Sequence, residues 1–341
     1  MKARLTRDEE RHDSASSSTD PARVAAPRIA VVIPCYNESA AIGNVVADFR
    51  RALPGAEIYV YDNGSADDTK TVAAAAGAIV RSEPLRGKGN VVRRMFADVE
   101  ADAYLLVDGD GTYDAPSAPM MVERLLNESL DMVNGARVAE TSGAYRPGHA
   151  LGNKLLTGAV AFVFGKRIRD MLSGYRALSR RFVKSFPALA TGFETETELA
   201  VHALELRLPI AEVDTPYRDR PAGSQSKLHT FRDGFRILKT IALLVKEERP
   251  LQFFSCIAAA LTTGAVVLAW PLLIEYLETG LVPRFPTAIL STGLMILAFM
   301  SVVVGLVLDA VTLARREIKR LHYLGLRGPT LVERRRSNDH A

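Results

Sequence analysis

Residues 29–49, IAVVIPCYNESAAIGNVVADF, decide the fold: a β-rich run from Ile29 to Pro34 gives way to apolar positions Ile42, Val45, Val46 and Phe49 at helical spacing. A strand followed at once by an amphipathic helix is a βα unit, and further β-rich runs repeat the theme. They are Ile58 to Asp62, Ala78 to Val80, Ala103 to Asp108 and Asp131 to Ala136, with helix-like segments between them. This alternation implies an α/β domain, a Rossmann-like, mostly parallel sheet flanked by helices. Open sheets of that class bind ligands beyond the carboxyl ends of their strands, which is where the unusual residues of this chain fall.

A chain of 341 residues, 48% of them hydrophobic, can build one large α/β domain and a smaller appendage. Its net charge of +4 is modest, and the basic residues that matter stand beside apolar stretches. That arrangement suits an anionic membrane surface, and no aromatic-interleaved basic stripe points to nucleic acid. Two cysteines, Cys35 and Cys256, are too few for a disulfide framework or a structural zinc site. Residues 1–27 are charged and Ser-rich without an apolar run, so they read as a disordered tail and not as a secretory signal.

The C-terminal quarter is different. Leu251 to Ile274 and Phe285 to Leu308 are long apolar stretches, each meeting the roughly 20 residues that a helix needs to cross a bilayer; the bland alternative is a helical hairpin buried in a soluble core. Lys246 and Arg249 precede the first stretch, Arg315, Arg316, Lys319 and Arg320 follow the second, and Arg284 stands alone between them. The positive-inside rule then puts both termini and the α/β domain on the cytoplasmic side of the cell membrane. Residues 227–249 mix Phe231, Phe235, Ile237, Leu238, Ile241 and Leu244 with Arg232, Arg236 and Lys239, as an interfacial helix does, or an amphipathic helix packed on the domain. The expected organisation is therefore a tail over 1–27, an α/β domain over 28–226, a juxtamembrane amphipathic helix over 227–249, a two-helix anchor over 250–309 and a basic cytoplasmic tail over 310–341.

Within LLVDGDGTYD, Asp108 and Asp110 stand two residues apart where a strand ends. Paired carboxylates at such an edge suit Mg²⁺ or Mn²⁺ bridging to a diphosphate, although an Asp-Gly turn with solvated carboxylates has the same spelling. RGKGN around Lys88 lacks the glycine spacing and the Ser or Thr of a P-loop, and no dinucleotide fingerprint occurs.

Taken in order, VVIPCYNE, YDNGSADDT, LRGKGN and LLVDGDGTYD resemble the family 2 glycosyltransferases of GT-A fold, over roughly Ile29 to Leu228. With two apolar C-terminal stretches, the chain is most similar to the dolichyl- and polyprenyl-phosphate sugar synthases of that family. The resemblance implies that Pro34, Tyr36 and Glu38 line a nucleotide pocket, that Asp62 bonds the base, that Lys88 lies near the donor, and that Asp108 and Asp110 serve ribose and metal. Asn63, in the same nucleotide-binding group, stands where the family usually has a second Asp, and Thr112 where it often has Gln. Downstream, Arg137, Arg146, Arg176, Arg220 and Lys227 resemble the family's phosphate-handling residues, with Ser226 and Lys227 displaced by one extra residue after the Gly. Any one of these arginines could equally form an ordinary ion pair. GFETETELAVHALELR resembles the helix that follows the acceptor site, where Glu194, Glu196 and Glu198 fit either catalysis or a helix N-terminus.

The implied reaction is an inverting transfer from a UDP- or GDP-sugar to a polyprenyl phosphate at the bilayer, aided by Mg²⁺ or Mn²⁺. Related enzymes can assemble through their membrane parts, which leaves a homo-oligomer open. Two other readings remain: transfer to a lipid or glycan hydroxyl, with Glu196 or Asp114 as general base, and a non-catalytic membrane scaffold that binds nucleotide sugars.

Overall fold

The computed structural model describes residues 26–139, 157–158, 160–162, 164–165, 168–192, 194–218 and 242–328. The expected interfacial helix therefore lies largely outside the described residues, as do Arg146, Arg220, Ser226 and Lys227.

Seven strands form one mixed sheet in the order β3-β2-β1-β4-β6-β5-β7. The parallel half comprises β1 (Ile29–Cys35), β2 (Glu57–Asp62), β3 (Ile79–Ser82) and β4 (Ala103–Leu106). Then comes the reversal: β6 (Arg176–Ser179) runs antiparallel to both β4 and β5 (Met132–Ala139), while β7 (Ile210–Tyr217) pairs parallel with β5. Sequence pattern gives the first five strands and misses β6 and β7. The first is only four residues long, and the second carries Glu212, Asp214 and Pro216, which break the β-rich signal.

Side-chain alternation explains how the sheet buries both faces. On β1, Ala30 and Val32 join one core while Val31, Ile33 and Cys35 join the other. The Val32 face is covered by α3 (Lys88–Asp98), α5 (Arg180–Ser185) and α6 (Thr195–Glu205); the Val31 face by α1 (Ile42–Ala52) and α4 (Ala118–Asn127). Ile42, Val45, Val46 and Phe49 are the buried residues of α1, as their spacing predicts. A short helix α2 (Thr69–Ala75) follows β2.

Two long helices follow, α7 (Pro250–Thr279) and α8 (Phe285–Leu324), both long and apolar enough to cross a membrane. Only 17% and 11% of their most apolar windows are buried, the opposite of a hairpin sunk in a soluble core. They pack along a seam of mostly small residues seven apart: Ala258, Ala265 and Leu272 on α7, and Ser291, Ala298, Gly305 and Thr312 on α8. A seven-residue repeat is the signature of left-handed helix pairing, and small residues let apolar helices approach closely.

The second helix does not stop where its apolar run stops. At 40 residues it is about 60 Å long, twice a bilayer's hydrocarbon core, so its last turns reach the sheet domain. There Tyr323 donates to buried Asp131 at 2.7 Å, and Arg181 pairs with the same carboxylate at 2.6 Å while lying over the Tyr323 ring. Arg315 and Arg316 clasp Glu248, just ahead of α7, at 2.7 and 2.8 Å. Leu244 is buried in the domain's own core, so the segment leading into the hairpin packs on the domain too.

Candidate active site

The loops after β1 and β2 are tied together by reciprocal hydrogen bonds. Asn37 donates its backbone N–H to Ser65 Oγ and accepts from the Ala66 N–H, both at 2.8 Å, while the Glu38 N–H reaches Thr69 Oγ1 at 2.9 Å. Asn37 adopts φ 52°, a left-handed conformation that its short polar side chain tolerates. Asp67 closes the tie by accepting from Ser39 and Thr69. Burial alone would raise its pKa, but these hydrogen bonds outweigh that and bring it to about 2.

Asp62 lies beneath this pair of loops with a fully buried side chain, accepting from the Gly64 and Ser65 N–H groups at 3.0 and 3.2 Å and pairing with Lys70 at 3.4 Å. Asn63 spends its side chain on the next loop: it donates to the carbonyls of Glu83 and Leu85 at 2.9 and 2.8 Å and accepts from the Gly87 N–H at 2.7 Å. A carboxylate there could not make the two donations, which is a physical reason for Asn in place of Asp. Tyr36 is half-buried, with the Arg86 guanidinium 4.6 Å from its ring centre, a cation–π contact that joins the first and third loops. Cys35 marks where the predicted acids meet. Its thiol is pushed up first by complete burial and then by the charges of Glu38, Asp108, Asp62 and Asp110.

β4 ends at Leu106, earlier than the apolar run suggests, so Asp108 and Asp110 both stand on the loop beyond it. Asp110 is buried, and its Oδ1 accepts from the Thr112 hydroxyl at 2.7 Å and the Thr112 N–H at 3.2 Å. Thr112 thus orients the carboxylate that the sequence marks as a metal ligand. Asp108 is packed against Gly174, where a Cβ would come within 2.5 Å of Asp108 Oδ2; only glycine leaves room for the carboxylate. Tyr113 fixes that approach, because its hydroxyl oxygen accepts the Gly174 N–H at 2.8 Å.

Lys88, the first residue of α3, forms ion pairs with both Asp108 and Glu196. Burial would lower its pKa, but the two carboxylates overcome that and hold it above its ordinary value, so the ammonium stays charged. The glycines on either side of it are spatially required: a Cβ on Gly87 or Gly89 would lie 2.0 Å from the carbonyl oxygen of Thr191 or Ala190. Glu198 holds that neighbouring loop by accepting the Leu189 and Ala190 N–H groups at 2.8 and 2.9 Å. Of the three glutamates left open by the sequence, Glu196 therefore enters the site and Glu198 braces it, while Glu194 stands beside Gly192. The recurring TETE spelling was the signal for this, but it does not say which acid turns inward.

Two of the downstream arginines, Arg137 and Arg176, have partners within the sheet domain. Arg137 makes a bidentate ion pair with buried Asp170, at 2.6 and 2.8 Å, and lies 5.4 Å over the Tyr217 ring. Arg176 has no exposed surface; its Nε and Nη2 donate to the carbonyls of Ser173 and Met171 at 3.2 and 2.9 Å, and its Nη1 has no partner among the described residues. Burial lowers its pKa, partly offset by the charge of Glu196. Asp114, weighed as a general base, instead caps the turn Ala115–Ser117 through Ser117 and pairs with Arg218 at 3.3 Å.

Asp108 and Asp110 are suitable donors for Mg²⁺ or Mn²⁺, since hard cations take carboxylate oxygens. Among the described residues no group of three or more His, Cys, Asp or Glu side chains could hold a metal, so a cation held by this pair would take further ligands from outside that set, substrate and water included. Mg²⁺ sites at diphosphates commonly work that way.

Similarity to known proteins agrees with this geometry. The profile for Glycosyl transferase family 2 matches residues 30–186. Glycosyltransferase AglJ of Haloferax volcanii is 33% identical over 299 residues, 87% of this chain and 98% of that protein. A dolichyl-phosphate hexose transferase from the same organism is 31% identical over 222 residues, 65% of this chain and 95% of the relative. Among solved structures, glucosyl-3-phosphoglycerate synthase from Mycobacterium tuberculosis, in complex with Mn²⁺, UDP-glucose and glycerol 3-phosphate, aligns with a TM-score of 0.53 and 28% identity over 65% of this chain and 80% of that one. With the carboxylate pair at the end of β4, the cross-tied loops of the parallel half and a relative matched along nearly its whole length, the chain belongs to glycosyltransferase family 2.

Proposed function

We propose that the enzyme transfers one sugar, with inversion, from a UDP- or GDP-sugar to a polyprenyl phosphate at the cytoplasmic face of the membrane. The observation that carries this reading is that the domain bearing Asp108, Asp110 and Lys88 is fastened directly to an apolar helical hairpin by the far end of α8. A polyprenyl chain stays in the bilayer, so its phosphate and a nucleotide sugar can meet only at such a junction. The resemblance to a dolichyl-phosphate hexose transferase and the UDP-glucose complex of the structural neighbour support the two substrate classes.

In this reaction a phosphate oxygen attacks the anomeric carbon, the bond to the diphosphate oxygen breaks, and the nucleoside diphosphate leaves with the electron pair. A monoester phosphate is already largely ionised near neutral pH, so the nucleophile needs no dedicated base. The divalent cation would be held by Asp110 and Asp108 and would neutralise the charge gathering on the departing diphosphate. Lys88, held by Glu196, would offer its ammonium to the same phosphates. Arg146, Arg220 and Lys227, outside the described residues, are assigned with Arg137 to the lipid phosphate, for which Arg137 would have to exchange Asp170; Arg176, fully buried, is assigned to the transfer step and would act through its positive charge and not by contact.

The test is to incubate detergent-purified protein with Mn²⁺, undecaprenyl phosphate and a panel of UDP- and GDP-sugars, following lipid mass beside Asp110→Ala. A lipid heavier by one hexose, with turnover at least about 10³-fold lower in Asp110→Ala, is expected. Product only on hydroxyl acceptors, or equal turnover in Asp110→Ala, would sink the reading.

A further inference from the structure

Helix α6 has an acid buried at each end, and the two acids are held by different parts of the molecule. At its N-terminal end, Glu196 pairs with Lys88 in the candidate donor site. At its C-terminal end, Glu205 has a side chain only 1% exposed and pairs with Lys319 at 2.6 Å, with Arg316 at 3.9 Å. Both cations belong to α8, beyond its apolar run. A negative charge in the last turn of a helix opposes the helix dipole, and a carboxylate stripped of water is costly unless paired. Among the described residues, Glu205 is therefore compensated by the membrane hairpin and by nothing in its own domain. Glu205 follows Glu196 by nine positions, so one rigid helix of about 13 Å connects the two contacts.

We infer that Glu205 and Lys319 are positioning residues for the donor site: α6 is a strut, fixed at one end by the hairpin, whose other end sets Lys88 against Asp108. Lys88 makes both its ion pairs in a site where the flanking glycines leave no slack against Ala190 and Thr191. A shift of α6 along its axis would carry Glu196 away from Lys88 and leave the ammonium to Asp108 alone, in competition with an incoming cation. Among the described residues, the other polar contacts that dock the end of α8 on the sheet domain lie away from α6. Tyr323 and Arg181 meet at Asp131, and His322 lies 3.1 Å from the Lys184 carbonyl oxygen on α5. This division makes the inference testable, because the same junction can be loosened with or without touching the strut.

The inference rests on the transfer reading for its turnover measurement but not for its binding measurement. Full-length Lys319→Met, Lys319→Arg and Tyr323→Phe would be compared with wild type for Mn²⁺-dependent binding of UDP or GDP, whichever the wild type binds, by titration calorimetry. Donor KM, lipid KM and Tm would be measured on the same preparations. Lys319→Met should weaken nucleotide binding and raise donor KM three- to tenfold with lipid KM within twofold, and Lys319→Arg should restore both. Tyr323→Phe should lower Tm and leave nucleotide binding unchanged. Should Lys319→Met not fold, Glu205→Gln carries the same expectation. Unchanged binding in the folded strut variants, or equal weakening by Tyr323→Phe, would overturn the strut. A wild type that binds nucleotide but transfers nothing to lipid would overturn the transfer reading and leave the strut to be decided by binding alone; a wild type that binds neither nucleotide would overturn both.

Discussion

Around the ends of β1, β2 and β4, charged side chains face one another across loops: Lys88 lies between Asp108 and Glu196, and Glu38, Asp62, Asp108 and Asp110 all bear on the Cys35 thiol. Around β5 and β6, Arg137 is clamped by Asp170 and Arg176 is spent on backbone carbonyls. The first region brings together acids of one sign, a costly arrangement that a cation relieves. The second neutralises its charges internally and gains rigidity. Similar residue types therefore do different work in the two halves of one sheet, and what separates them is the partner that the fold supplies.

Lys88→Met should break the first region most severely. It removes the cation between two carboxylates and should lower kcat/KM about 10²-fold, with a fall in Tm that added Glu196→Gln partly reverses; steady-state kinetics and calorimetry decide. An intact kcat/KM would mean that Lys88 only fills space. In the second region, Arg137→Met leaves Asp170 buried with its bidentate partner gone and should cost about 3 kcal/mol of stability, read by denaturant unfolding. Stability that holds in Arg137→Met would mean that the Asp170 pair is dispensable to the frame, and the contrast between the halves would collapse.

A smaller effect sharpens the role of Thr112. Thr112→Val removes the hydroxyl that donates to Asp110 and should lower turnover about fivefold, the equivalent of one hydrogen bond, with Thr112→Ser near wild type. The smallest concerns Asp67. Its folded pKa of about 2 lies below the unfolded value of about 3.9, so its hydrogen bonds stabilise the loops above pH 4 and are lost as pH falls from about 4 through about 2. The carboxylate is exposed, so solvent screening keeps the contribution below about 1 kcal/mol. Asp67→Asn should flatten that part of the acid-unfolding profile, and an unchanged profile would detach Asp67 from loop stability.

The parallel half was legible in the chain because its signals are local. Apolar alternation marks β1, helical spacing marks α1, and the acids and glycines that matter follow their strands within a few residues. The two long apolar helices were legible for the same reason, since more than twenty consecutive uncharged, mostly apolar residues need no partner to be recognised. β6, only four residues long, gives too weak a signal, and its antiparallel place between β4 and β5 depends on strands far away in sequence.

The sequence by itself determined the α/β alternation, the acidic loop after β4 and the apolar hairpin, because each is written in neighbouring residues. Only the tertiary structure decided that Asn63 braces a loop, that Glu196 and not Glu198 meets Lys88, that Arg137 belongs to Asp170, and that Lys319 reaches Glu205 across 114 residues of chain. A side chain's charge is fixed by its identity, but its work depends on the partner within a few ångströms, and that partner is chosen by the packing of segments distant in sequence.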